Sequence, residues 1–287
     1  MVFKKLIISF WAIIFSLHLF HTSVWAGPDS SGCTSTQCHE TMQEGGSLHP
    51  ADRQCGQCHE TNNSTHPDSA TINFSTTTAP CTGCHPEITD HDYLHPPVAA
   101  GDCLSCHIVH GQKRNNYINE QEKLFCYNCH NSVVAEGETV LHGEIADNKC
   151  TACHTVHGSS YPNLLRGNYS LSFFNDYSDK QYEFCFRCHK VDLLLHPKTS
   201  YNTKFRNAKK NLHFVHVNKK TKGRSCSSCH RTHASRLPHL MAGTVPFGDW
   251  QLPINFQPMD NGGKCSPGCH GPESYNRSLS AEADTQR

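Results

Sequence analysis

The sequence predicts a mostly irregular chain with short α-helices and little or no β-sheet, drawn out as an elongated array of small repeated units. Three observations lead there. Apolar residues make up 36% of the chain and its mean hydropathy is −0.56, too lean for 287 residues to bury an ordinary core. Glycine and proline, 19 and 15 of them, punctuate the chain throughout, and strand-like alternation is nearly absent. All 18 cysteines fall into nine pairs, and each pair is followed at once by a histidine.

The amino-terminal segment, residues 1–26, reads as an address. Lys4 and Lys5 form a basic start, Leu6–Phe20 is an apolar run, and Val24-Trp25-Ala26 places small residues before Gly27. This is the pattern of a cleaved secretory signal peptide. The run is short for a bilayer span, and no transmembrane helix is expected after cleavage.

Seven cysteine pairs have the form C-x-x-C-H: Cys55, Cys58 and His59; Cys81, Cys84 and His85; Cys103, Cys106 and His107; Cys126, Cys129 and His130; Cys150, Cys153 and His154; Cys185, Cys188 and His189; and Cys226, Cys229 and His230. Two are stretched: Cys33, Cys38 and His39 by two residues, and Cys265, Cys269 and His270 by one. C-x-x-C-H reads as covalent haem attachment: the thiols add across the two vinyl groups and the next residue offers an imidazole to the iron. Structural zinc joins two C-x-x-C pairs and needs no adjacent histidine. Iron–sulfur clusters take four thiolates each. A disulfide within C-x-x-C closes too small a loop to stabilise much. Histidine fills 23 of 287 positions, so nine such coincidences are not chance. The expected cofactors are nine covalently attached c-type haems, the stretched sites included.

Haem supplies the apolar surface that the chain lacks, so the haem-free chain is expected to be largely unfolded. It also changes the charge. Lys+Arg and Asp+Glu are 25 each, but every oxidised haem brings two propionates and one positive charge, about nine extra negative charges in all. The mature protein should be acidic, and nucleic-acid binding has no support.

The motifs recur in pairs. One unit holds L-F-C-Y-N-C-H, Leu141-His142-Gly143, C-T-A-C-H-T-V-H-G-S and Asn163-Leu164-Leu165. Another holds Cys81, His95-Pro96-Pro97 and C-L-S-C-H-I-V-H-G, and a third runs from Cys185 through His213, His216 and C-S-S-C-H-R-T-H-A-S to His239-Leu240-Met241. The organisation this implies is a signal peptide at 1–26, an amino-terminal dihaem unit with a Ser/Thr-rich linker at 27–79, and dihaem repeats at 80–118 and 119–168. A repeat with a basic insertion follows at 169–245, and a single-haem segment at 246–287. The linker is Thr61–Ala79; a longer helix is expected over Asn119–Asn131. Such repeats imply a quasi-linear array in which neighbours bury each other's faces. The basic stretch Lys204–Arg224 contains no acid. It reads as a solvated loop near propionates or as a docking patch for an acidic redox partner.

These units resemble the doubled C-x-x-C-H motif of multihaem c-type cytochromes, a group that includes class III-like cytochromes and the decahaem conduit cytochromes of dissimilatory metal reducers. The resemblance covers nearly all of the chain after residue 26. It is most specific at His107/His110, His154/His157 and His230/His233 and at the histidine upstream of each second motif. It implies short helices at the attachment sites, long loops, bis-histidine haems and close haem packing. The chain has nine sites where the decahaem group has ten.

Twelve histidines lie outside the motifs and the leader: His49, His66, His91, His95, His110, His142, His157, His196, His213, His216, His233 and His239. Nine irons need nine distal ligands, so this supply lets every iron be six-coordinate, and all twelve are candidate axial ligands. Residues three apart on a helical turn share a face, so His110, His157 and His233 should ligate neighbouring haems. Met42, Met241 and Met259 are rival ligands but read better as packing.

Bis-histidine iron leaves no position for substrate and exchanges single electrons. The expected function is therefore electron carriage by haem-to-haem transfer in anaerobic respiration, with no catalytic residue, in the periplasm or at the outer membrane. Expected partners are a quinol-linked donor, a terminal reductase, an outer-membrane porin or an extracellular cytochrome. The settings in view are a soluble shuttle, a porin conduit or a filament. The alternative is a reductase of nitrite, hydroxylamine or a sulfur oxyanion, which needs one open iron, often marked by Lys in place of the motif histidine; all nine motifs here end in His.

Overall fold

The computed structural model describes residues 59–61, 72–74, 79–107 and 122–278, with only the backbone at 59–61, 72–74, 79–80 and 122–124. The signal peptide and Met42 lie outside the described residues. So does the whole of the first expected attachment site, Cys33, Cys38 and His39. Cys55, Cys58, the ring of His59, His49, His66 and His110 lie outside them too. No helix among the described residues is long and apolar enough to cross a membrane.

The motifs set the local structure. At His85, His107, His130, His154, His189 and His230 the backbone amide donates to the carbonyl of the first cysteine, at 2.9–3.0 Å. This i→i−4 bond closes one helical turn, so both thiols and the imidazole issue from a single turn. The motif of Cys265 and Cys269 departs from this. Cys265 ends the strand Gly262–Cys265 and pairs with Glu273. Extended backbone advances further per residue than a helical turn, and the additional residue lets the chain return Cys269 toward Cys265.

Sheet is more plentiful than the sequence predicts. Fifteen short strands form seven small antiparallel sheets among the described residues. Many strands have two residues, too few to display an alternation of period two. The larger ones are carboxy-terminal: a hairpin of Thr244–Phe247 and Trp250–Pro253 turning at Gly248 (φ 58°), and a three-stranded sheet of Gln257–Met259, Gly262–Cys265 and Glu273–Asn276. Ala242, Val245, Ile254 and Phe256 are buried between them, and Met241 packs against this cluster. A second small core joins Tyr182, Leu194 and Val217. Helices are short. Of the expected Asn119–Asn131 helix, residues 119–121 lie outside the described residues, and Glu122–Tyr127 is helical. Within the Ser/Thr-rich linker Ile72–Phe74 pairs antiparallel with His59–Thr61.

Two pairings tie distant stretches together. Tyr93–Leu94 pairs with Gly158–Ser159, and Val140–Leu141 with Ala234–Ser235. In each case the strand just before an upstream histidine lies against the strand just after a C-x-x-C-H-x-x-H segment.

Candidate haem-ligating centres

The expected attachment thiols stand on the motif turns in two settings. Cys84, Cys129, Cys188 and Cys269, each the second cysteine of its motif, are exposed. Cys106, Cys153 and Cys229 occupy the same position and are half-buried. Cys106 Sγ lies 3.6 Å from Ser105 Oγ, whose hydroxyl donates to the Asp102 carbonyl at 2.8 Å. The fourteen cysteines among the described residues are all unbridged thiols.

The upstream histidines are placed by a shared local device. His95 and His142 have extended backbone, φ −64°, ψ 133° and φ −65°, ψ 144°, and each immediately precedes a one-turn helix, Pro96–Ala99 and Gly143–Ala146. Gly101 (φ 77°) and Asn148 (φ 59°) then turn the chain into the following motif. Asparagine stands at the second position because, with glycine, it tolerates left-handed backbone best.

At two motifs the histidine after the second cysteine is oriented by the chain downstream of it. The Nδ1 of His154 hydrogen-bonds the Asn163 carbonyl at 2.9 Å, and that of His230 the His239 carbonyl at 2.9 Å. Both carbonyls sit in consecutive left-handed pairs, Asn163/Leu164 (φ 57° and 54°) and His239/Leu240 (φ 58° and 56°). Such backbone is costly for these residues, and a clasp holds it. Ser159 Oγ donates to the Leu165 carbonyl and accepts from the Tyr161 amide; Ser235 Oγ does the same with Met241 and Leu237. Thr155 and Arg166 amides bond Leu164 and Cys153 carbonyls, and Arg231 and Ala242 amides bond Leu240 and Cys229 carbonyls, all at 2.8–2.9 Å. The clasp has a sequence signature, S-x-x-P-x-L, at Ser159–Leu164 and Ser235–Leu240, which the cysteine motifs by themselves do not reveal.

The basic stretch is ordered structure rather than a loop. Arg206–Asn207 and Lys210–Asn211 form a hairpin, and the helix Leu212–Val217 follows it. Asn211, 0% exposed, caps that helix by accepting from the Phe214 amide at 3.2 Å, and its Nδ2 donates to the Leu193 and His196 carbonyls at 3.0 and 2.9 Å. The helix carries His213 and His216. Thr203 Oγ1 lies 2.8 Å from His213 Nδ1, and His216 Nδ1 bonds the Leu212 carbonyl at 2.7 Å.

These devices bring twelve imidazoles into six pairs among the described residues. Ring centres are 5.9 Å apart in His95/His130 and His107/His157, 6.1 Å in His142/His189, 6.3 Å in His154/His233 and His213/His230, and 6.5 Å in His216/His270. Each pair joins one motif histidine to one histidine outside the motifs. At the seventh described motif, that of Cys81 and Cys84, His85 Nδ1 lies 3.6 Å from Glu87. The rings of His91, His196 and His239 are exposed and are not set opposite a motif histidine among the described residues. His239 and His196 act there through their carbonyls, and His91 packs against Gly158. Met259 is 56% exposed.

The residues fit a haem iron. With metal–imidazole bonds of about 2.0 Å and a ring centre about 1.1 Å beyond each nitrogen, two imidazoles flanking one ion stand about 6.2 Å apart. Plain aromatic pairs span a range that includes this distance. Two features separate these pairs from plain stacking. Every pair has one motif member, and Nδ1 is engaged by carbonyls at His154, His216, His230 and His270, leaving Nε2 for a metal. Burial is the chief cause that lowers the pKa of His95, His142, His157, His216 and His233, and of His213, which falls to about 3. The neutral imidazole, the ligating form, is thereby favoured. A cavity of about 370 Å³ beside His230, walled by Leu171, Phe173 and Val245 and by the polar Glu138, Arg231 and His233, opens a slot of mixed polarity against the motif turn.

The attachment sites also adjoin. The Cys185 and Cys226 thiols lie within electrostatic reach of each other. Cys153 lies within electrostatic reach of Cys185 and Cys188, and Cys229 of Cys265 and Cys269. The last four sites thus neighbour one another in chain order.

A protein-family model, the doubled CXXCH motif, matches residues 95–135 and 142–193. No curated protein matches the chain. The family match supports a multihaem c-type cytochrome with covalently bound c-type haem and points to electron transfer. Both matched stretches open on an upstream histidine and close after a second motif. They group Cys103 and Cys106 with Cys126 and Cys129, and Cys150 with Cys185, one motif out of step with the grouping read from the sequence. The pairs His95/His130 and His142/His189 each fall inside one matched stretch.

Proposed function

We propose that this protein is a nonahaem, bis-histidine electron carrier that passes electrons from haem to haem in anaerobic respiration, exported to the periplasm or the outer membrane. The nine include the stretched site of Cys33, Cys38 and His39. Its donor is linked to quinol, and its acceptor is a terminal reductase or a redox partner beyond the outer membrane. The observation that carries the reading is the set of six histidine pairs at 5.9–6.5 Å.

Haem, when bound, supplies reversible one-electron chemistry at iron. The chain's residues do the rest. The six histidine pairs would hold the iron from both sides, which would leave no position for a substrate there. Carbonyls on Nδ1 fix the rings of His154, His216, His230 and His270, which keeps rearrangement at those rings small on electron transfer. The adjoining cysteines hold neighbouring sites close.

Electron paramagnetic resonance of the oxidised protein, with haem counted by mass, tests this. Nine low-spin haems are expected. A stoichiometric high-spin ferric signal would overturn the carrier reading in favour of a reductase, and a haem count of zero would overturn both.

A further inference from the structure

At His216 and His270 the carbonyl on Nδ1 lies close along the chain, at Leu212 one helical turn back and at Gly271, the next residue. At His154 and His230 it lies nine residues on, at Asn163 and His239. Those two carbonyls have to be brought back and held. Their turns share one build: a serine, a proline three residues on, and then two consecutive left-handed residues. Neither Asn163/Leu164 nor His239/Leu240 contains glycine, the residue that adopts such backbone without strain.

A single hydroxyl closes each turn. Ser159 and Ser235 are 5% and 4% exposed. Each donates to the carbonyl after the left-handed pair, that of Leu165 or Met241, and accepts from the amide before the proline, that of Tyr161 or Leu237. Removing the hydroxyl would take that partner from a carbonyl and an amide on either side of the turn. The serines themselves stand in strands, opposite Tyr93 and Val140, so the chain crossing fixes the hydroxyl and the hydroxyl fixes the turn. Two of the three C-x-x-C-H-x-x-H segments are built this way. After His110 the positions of Ser159 and Pro162 are taken by Gln112 and Asn115.

A carbonyl only accepts, so the Nδ1 that it holds carries the proton and Nε2 keeps its lone pair. Such a bond makes the ring a stronger donor to a metal. A stronger donor favours ferric over ferrous iron, because the ferric ion carries the additional positive charge.

We infer that Ser159 and Ser235 are positioning residues. Through the turns that they close, they hold the Nδ1–H of His154 and His230 and keep the Cys150/Cys153 and Cys226/Cys229 haems at lower potential than those haems would otherwise have. The inference rests on the haem reading above.

Stepwise reductive titration of the haem-loaded protein, followed by visible absorbance and with haem counted by mass, tests it. Ser159→Ala should raise the affinity of one wave for an electron about fivefold, the worth of one hydrogen bond, and leave the others in place. Ser235→Ala should do the same to a different wave. Ser159→Thr, which keeps the hydroxyl, should leave the wave where it is in the unsubstituted protein. Adding Asn163→Gly to Ser159→Ala should return the wave toward that place, because glycine takes left-handed backbone without the clasp. In a Cys150→Ser/Cys153→Ser background, which deletes the attachment, Ser159→Ala should move nothing. With a full haem load, waves that all stay put or all shift together overturn the inference, as does a shift that persists in the cysteine background. Failure of both alanine variants to take up a full haem load overturns it too, since the hydroxyls would then be scaffolding alone. An absence of haem from the unsubstituted protein sinks instead the reading beneath it.

Discussion

The backbone amide of His95 donates to the carbonyl of His157 at 2.9 Å, yet their rings stand against different partners, His130 and His107. His142 and His233 repeat the arrangement at 3.0 Å, with rings against His189 and His154. Each junction therefore sets two histidines that face two different motifs on adjacent rungs of one small ladder.

A ligand deletion should accordingly be felt at a site remote in sequence. His157→Ala is expected to create one high-spin haem at the site of Cys103 and Cys106, although His157 lies three residues from His154. Electron paramagnetic resonance reads the high-spin signal. Adding Cys103→Ser and Cys106→Ser should abolish it, whereas adding Cys150→Ser and Cys153→Ser should not.

Asn211→Ala should damage two sites at once. It removes the cap of the Leu212–Val217 helix and leaves the Leu193 and His196 carbonyls without their donor. The expected loss is about 2–4 kcal/mol, measured by chemical unfolding of the haem-loaded protein. High-spin character should appear at the His213 and His216 sites together. Asn211→Asp, which keeps the capping oxygen, should retain part of the stability.

These two expectations show how much of the molecule was legible in the sequence. The C-x-x-C-H turns were legible because covalent chemistry fixes residue type and spacing together. Helical geometry implied that His157 and His233 turn away from their own motifs toward neighbouring haems, and the structure sets them against His107 and His154, each two motifs earlier in the chain. Asn211 was hidden because a single buried asparagine in a run of lysines looks like surface. The two-residue strands were hidden because they are tertiary crossings rather than local preferences. Which spare histidines stand opposite a motif depends on those crossings, so His91, His196 and His239 were indistinguishable from the rest by sequence. The same holds for the thiols: nothing in the spacing separates exposed Cys84 and Cys129 from half-buried Cys106, because the difference comes from the segments that cross each turn.

Acid should weaken the fold. Burial holds His95, His142, His157, His213, His216 and His233 below the ordinary value of 6.5, His213 at about 3. Between 6.5 and the lowered values the unfolded chain binds protons that the folded chain does not, so stability falls as the pH falls. Above 6.5 these groups are neutral in both states and contribute no pH dependence. Denaturant midpoints measured from pH 8 to pH 4 should decline below about 6.5; midpoints that rise on acidification would contradict this.

The haem-free chain should be largely unfolded. The buried apolar residues described form two small clusters, Ala242/Val245/Ile254/Phe256 and Tyr182/Leu194/Val217, too little to offset the entropy of ordering the chain. Circular dichroism of a variant with every motif cysteine replaced by serine should be coil-like. A spectrum matching that of the haem-loaded protein would refute it.

The pairings also impose a timetable on a chain made from its amino end. The sites at Cys126, Cys185 and Cys265 stand against histidines already synthesised, His95, His142 and His216. Those at Cys103 and Cys150 would wait, on the proposed ligation, for His157 and His233, which emerge much later. The Cys226 site waits for nothing, because His213 precedes it. Maturation of such a chain would proceed by deferred completion, each waiting site closed by the arrival of a later one, until a helix carrying two histidines lets the final sites close as soon as they appear.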